Sequence, residues 1–230
     1  MSAAQVVEEI RTQLAPVNAK LADHAFVRAL NQGAVSRDTL RCFAGEQYAI
    51  TESGMRSDAA LVSRFTGAAD TEFFLKLLIG EKNGFQAVRA FAHFLEWGED
   101  QLAAYEPSAG GFAYASYFCW LAHYGSDAEL AAAVLVNFQA WGENCGRMRD
   151  ALAKHYGFTE DALELFRVYA VPSTLSATDD PLEGAALQII EAGLNEQMTS
   201  TRLARAARLL QSYELMFWDS MFELHGAAGH

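Results

Sequence analysis

LLQSYELMFWDSMF, residues 209–222, decides the fold, because its apolar side chains recur with the period of a helix rather than a strand. Leu210, Phe217, Trp218 and Met221 fall three, four or seven positions from Glu214, so all five share one helical face. An ionisable carboxyl is thereby set inside an apolar stripe. Burying a charged acid is costly unless it is paired, hydrogen-bonded, metal-bound or protonated. Glu214 is therefore a candidate general acid or base, with one half of a structural ion pair as the competing reading.

The same period extends outward along the chain. Prolines stand only at positions 16, 107, 172 and 181, and the long Ala/Leu/Glu-rich stretches between them predict helices at about 3–22, 36–65, 70–97, 111–124, 126–156, 159–170, 180–194 and 198–224. Ser36, Ser126 and Thr159 each precede acidic first turns and are candidate N-caps. The clearest loops, YEPSAGG at 105–111 and AVPSTLSATDDP at 170–181, are too short for domain linkers, and no fixed-period repeat is present. The expectation is an all-α chain forming a single domain over 1–230.

Composition narrows the partners. A net charge of -12 with a pI near 4.9 disfavours nucleic acid and anionic membranes, which are bound through clustered Lys and Arg. No stretch reaches the roughly 20 apolar residues of a spanning helix, and the acids early in MSAAQVVEEIRTQL do not fit a signal peptide, so a cytoplasmic protein is expected. Cys42, Cys119 and Cys145 are odd in number, widely spaced and without a CxxC pair. They are read as buried thiols. The histidines are scattered, with no H-E-x-x-H, and G-x-S-x-G, P-loop and G-x-G-x-x-G signatures are missing. No cofactor is expected.

Other polar groups also interrupt apolar faces. Glu81 lies on the face of Phe74, Leu77, Leu78, Phe85 and Val88; it is either a ligand or acid, or a wet residue at a helix break made by Gly80 and Gly84. Phe43, Gln47, Ile50 and Gly54 form one face, with Glu46 adjoining, and Gly45 inside the helix points to a close packing contact. Asn137 beside Trp141 reads as pocket lining, whereas Glu143 is placed for an i,i+4 surface ion pair with Arg147. His24 is read as a packing or capping residue near the end of the first helix.

Taken in order, three stretches resemble the family of thiaminase II (TenA) and the quinone-cofactor synthase PqqC. HAFVRALNQGAVSRDTLRCFAGEQYAI is similar to the family's opening pattern, ASYFCWLAHYGSDAELAAAVLVNFQAWGENCGRM to its middle helices, and SYELMFWDSMF to its closing Glu-x-x-Phe-Trp-Asp motif. The resemblance runs from about residue 20 to 224 and implies a heme-oxygenase-like bundle of about seven to eight helices. It places the catalytic glutamate at Glu214, the pyrimidine-binding aspartate at Gln47, an active-site tyrosine at Trp141 and the nucleophilic cysteine at Asn137. An Asn cannot supply thiolate attack.

What the resemblance implies is a small-molecule pocket, with Glu214 catalytic and Gln47, Glu46, Asn137, Trp141 and Phe217 contacting a thiamin-related aminopyrimidine or similar heterocycle. It also implies a homo-oligomer, dimer or tetramer. A non-catalytic binding or regulatory member of the family is the alternative. A di-iron oxidase of the same fold would draw on Glu81, Glu143, Asp180 and Glu183, but Val88 stands where its first histidine ligand is expected, and no metal is anticipated.

Overall fold

The computed structural model describes residues 1–170 and 181–227. Ten α-helices follow one another there: α1 (Ala3–Ala22), α2 (Ala25–Asn31), α3 (Arg37–Arg64), α4 (Ala68–Phe94), α5 (Glu99–Ala104), α6 (Ala109–Tyr124), α7 (Asp127–Tyr156), α8 (Glu164–Tyr169), α9 (Pro181–Asn195) and α10 (Ser200–Ala227). A 3₁₀ turn, Asp161–Leu163, leads into α8. No strand occurs among the described residues, and no helix there is long and apolar enough to cross a membrane.

The count of seven to eight helices is thus corrected to ten. The two additional helices are α2 and α5, seven and six residues long. Neither spans enough turns to show a helical period in its sequence. His24 caps α2 by accepting the Phe26 N–H on Nδ1, and Glu96, at φ 64°, ends the chain's run out of α4. Ser36 and Ser126 cap as expected, Ser126 forming a reciprocal capping box with Glu129. Thr159 does not cap, because the segment opens as a 3₁₀ turn with no side-chain cap.

Helices α3 and α4 pair along their lengths, and α10 packs against both α6 and α7. Two apolar clusters result. One joins α1 and α9 to the first half of α7, where every residue from Ala128 to Asn137 is buried. The other gathers Phe43, Phe91, Phe166, Phe217 and Trp218, with Phe43 stacked on Phe166 at 5.9 Å. Each such ring contributes about 2–3 kcal/mol by leaving water. Between the clusters runs a polar seam: Asn137 separates Val136 from Ala140 on α7, and Gln211 and Glu214 separate Leu210 from Phe217 on α10. Hydrophobic packing on both sides fixes that seam in place.

Candidate active site

At the seam, Gln47 and Thr51 of α3, Tyr114 of α6, Asn137 and Trp141 of α7, and Glu214 of α10 surround a cavity of about 50 Å³. This is room for a few waters. Phe217, Tyr169 and Phe138 complete the aromatic walls, and among the described residues no Lys, Arg or His lines the cavity. The cavity shares Ile50, Glu81, Tyr114, Phe138, Trp141 and Tyr169 with a wide groove leading outward.

Glu214 is held from both sides. Asn137 Nδ2 donates to its Oε2 at 2.6 Å, and Trp218 Nε1, one turn along α10, donates to its Oε1 at 3.1 Å. These bonds favour the carboxylate, yet burial outweighs them and pushes the carboxyl up to about 7. Among the described residues no basic side chain pairs with it. The ion-pair reading of Glu214 is therefore not what the packing shows.

Asn137 is satisfied throughout. Its second Nδ2 hydrogen goes to Gln211 Oε1 at 2.7 Å, Tyr114 OH donates to its Oδ1 at 2.9 Å, and Gln211 Nε2 continues to Asn18 Oδ1 at 2.5 Å. Three primary amides thus lead from α1 to the carboxyl. Trp141 packs edge-on against Phe217 and Tyr169 at 6.2 and 6.1 Å. Gln47 is 3% exposed, and its side chain borders the cavity.

Glu46 lies elsewhere. One residue along a helix rotates a side chain by about 100°, and Glu46 turns away from the cavity to accept the Ser108 N–H at 2.8 Å and the Tyr105 hydroxyl at 3.1 Å, beside the start of α6. The Tyr105 ring also covers Gly45, whose missing Cβ would sit 2.3 Å from it, which is the packing contact that the glycine implies. Neither Gly80 nor Gly84 breaks α4. Gly84 instead admits the Tyr169 hydroxyl, which a Cβ would meet at 2.1 Å, and that hydroxyl donates to Glu81 Oε2 at 3.2 Å. Burial pushes the Glu81 carboxyl up to about 7 despite this bond.

Of the remaining carboxylates, Glu143 pairs with Arg147 at 3.4 Å and Glu183 with Arg11 at 3.2 Å, while Asp180 lies outside the described residues. Among the described residues no group of three or more His, Cys, Asp or Glu is arranged to hold a metal ion. Cys145 is fully buried, whereas Cys42 and Cys119 are half-buried. His24 Nε2 lies 3.1 Å from Asp219 Oδ1, so the closing Phe-Trp-Asp motif anchors both Glu214 and the start of α2.

The helical architecture is heme-oxygenase-like: heme oxygenase-1 from the cyanobacterium Synechocystis sp. PCC6803, solved with heme, superposes with a TM-score of 0.66 at 14% identity over 96% of this chain and 93% of that one. More similar still are a TenA homologue from Pseudomonas syringae pv. tomato str. DC3000, with a TM-score of 0.80 at 14% identity over 97% and 96% of the two chains, and one from P. horikoshii OT3, with 0.74 at 20% identity over 95% and 98%. No curated protein matches by sequence. The profile of the TENA/THI-4/PQQC family matches residues 11–224, and the chain belongs to that family.

Proposed function

We propose that the chain binds and hydrolyses a thiamin-related aminopyrimidine or a similar basic heterocycle, with Glu214 as the proton-transferring group. The observation that carries this reading is a carboxyl 3% exposed, oriented through both oxygens, beside an aromatic cavity that no cationic side chain lines among the described residues. A carboxyl poised near neutrality is matched to general acid–base work. It is also the natural partner of an aminopyrimidine edge, whose ring nitrogen and exocyclic amine pair with a carboxyl through two antiparallel hydrogen bonds. Trp141 and Phe217 supply faces for the ring.

With Asn137 in place of a nucleophile, the chemistry this site supports is direct attack by water. For an amine leaving group, Glu214 accepts a proton as water oxygen bonds to the substituted carbon, and returns it to the nitrogen as the C–N bond breaks. The test is titration calorimetry with 4-aminopyrimidines, together with mass-spectrometric detection of products from thiamin and its aminopyrimidine fragments. Binding weakened at least tenfold in Glu214→Gln, about 1.4 kcal/mol, is expected. Equal affinity in the two proteins would remove the assignment of Glu214, and binding without turnover would favour a non-catalytic member of the family.

A further inference from the structure

Asp58 is 1% exposed, and neither carboxylate oxygen has a hydrogen-bond partner. Such a group is costly to bury if left alone, and among the described residues no arginine, lysine or backbone amide relieves it. It stands on the α3 face that carries Gln47, Thr51 and Gly54 at i+4, i+3 and i+4 steps, so the cavity residues and Asp58 form one continuous line. The outward groove is bordered by Asp58, Gly54 and Glu81.

Gly54 brings the second acid close. The Glu81 Cδ lies only 3.0 Å from where a Cβ on Gly54 would be, so the carboxyl of α4 rests against the backbone of α3, one turn from Asp58. The two acids repel each other and are not hydrogen-bonded to one another; Glu81 takes its bond from Tyr169. Tyr114, which bonds to Asn137 at the inner end, feels the charges of Glu214, Glu81 and Asp58 in that order. Glu214 and Glu81 line the cavity, and Glu81 and Asp58 line the groove that opens from it, so Glu81 belongs to both.

The geometry points to Asp58 and Glu81 as a second binding subsite, one that takes a protonated organic nitrogen, a primary ammonium or an amidinium, on a ligand whose ring occupies the aromatic cavity. A compact donor-rich cation satisfies the unpartnered Asp58 oxygens and screens the repulsion between the acids. This extends the proposed reading to the part of the ligand that lies toward the groove. It rests on that reading only for the position of the ring.

Benzamidine, with benzamide as its neutral near-isostere, tests the subsite without any assumption about the natural substrate. Calorimetric titration of the wild-type chain is expected to show benzamidine binding at least tenfold tighter than benzamide, with Asp58→Asn and Glu81→Gln each removing most of that preference. Both variants relieve like-charge repulsion, and a circular-dichroism melt reports whether each is folded. If one fails to fold, the other carries the test. Equal affinity for benzamide and benzamidine, or a cation preference untouched in the folded variants, would overturn the subsite. Loss of the preference in Glu214→Gln alone would assign the cation to the inner carboxyl instead. Displacement of benzamidine by millimolar Mn²⁺ or Mg²⁺ in the wild type, abolished in Asp58→Asn, would overturn it in favour of a metal. Failure of 4-aminopyrimidines to bind would leave this result standing and sink only the ring assignment.

Discussion

Trp218 and Glu214 are one turn apart on α10, and the indole N–H of the first donates to Oε1 of the second at 3.1 Å. The indole is itself fully buried, packed against Phe26 at 6.0 Å and Trp141 at 5.7 Å. The carboxyl is thus aimed by a side chain that has no room to turn, and the Asn137 amide holds its other oxygen. Orientation and desolvation are separate devices here, and substitutions can separate them.

Glu214→Gln removes the titration while keeping the shape. A carboxyl near 4.5 in the unfolded chain and about 7 in the folded one binds more protons when folded. Its stabilising contribution is therefore complete below about pH 4.5 and declines as pH rises toward 7, by roughly 3 kcal/mol at full ionisation. The Tm difference between variant and wild type should shift in the variant's favour from pH 5 to pH 8. Any fixed penalty for placing an amide beside two N–H donors cancels from that comparison. A difference independent of pH, measured by calorimetry, would show that Glu214 is not the group described.

Asn137→Leu strands three partners at once: Glu214 Oε2, Gln211 Oε1 and the Tyr114 hydroxyl. A destabilisation of about 2–4 kcal/mol is expected. Because the Asn137 bond lowers the Glu214 carboxyl against the effect of burial, its loss should also move the Glu214 midpoint upward. Urea denaturation checks the first expectation. The pH dependence of unfolding, with Glu214→Gln as the reference background, checks the second.

Glu46 and Glu214 were both read from sequence as site acids, and the structure separates them. Glu46→Ala removes an anion from the start of α6 and leaves the Ser108 N–H and Tyr105 hydroxyl without it. It should cost about 2–3 kcal/mol in stability with ligand affinity per folded molecule unchanged. Calorimetric titration below the variant's Tm would show a tenfold loss if Glu46 met the ligand directly.

Gly84→Ala improves helix propensity by about 1 kcal/mol in isolation, but here the new methyl would stand 2.1 Å from the Tyr169 hydroxyl. Tyr169 must withdraw from Glu81, and the Trp141 face that packs on it must adjust. Weaker binding of heterocyclic ligands and an altered tryptophan emission spectrum are expected. A variant with wild-type affinity and unchanged fluorescence would show that Tyr169 plays no part in shaping the cavity.

Much of this site was legible because the helical period places polar residues on faces before any tertiary contact is known. Gln47, Asn137, Trp141, Glu214 and Phe217 each interrupt or continue an apolar face, and all five meet at the cavity. Glu46 turns to Ser108 and Tyr105 instead, because an adjoining position is a quarter-turn away and only the partner helix reveals which side faces the pocket. Asp58 was not singled out, although its spacing of seven from Thr51 and four from Gly54 was the available signal. Tyr114 and Tyr169 had no such signal, since their roles come from α6 and α8 being brought against α7. The short helices α2 and α5 escaped for want of a full period.

The amide chain from Asn18 through Gln211 and Asn137 has a polarity. Asn137 is its branch point: one NH₂ serves both Glu214 and Gln211, the Asn137 carbonyl accepts from Tyr114, and the Gln211 NH₂ points on to Asn18. A proton on the Glu214 oxygen facing Asn137 needs an acceptor, and turning one amide over obliges the next to follow, because two carbonyls or two NH₂ groups cannot face each other across a hydrogen bond. Asn18, whose Oδ1 takes the last of these bonds, lines the groove. A carboxyl sealed between two apolar clusters is in this way tied through three hydrogen bonds to an amide on the rim of the groove, so that what touches the rim also touches the frame that aims the acid.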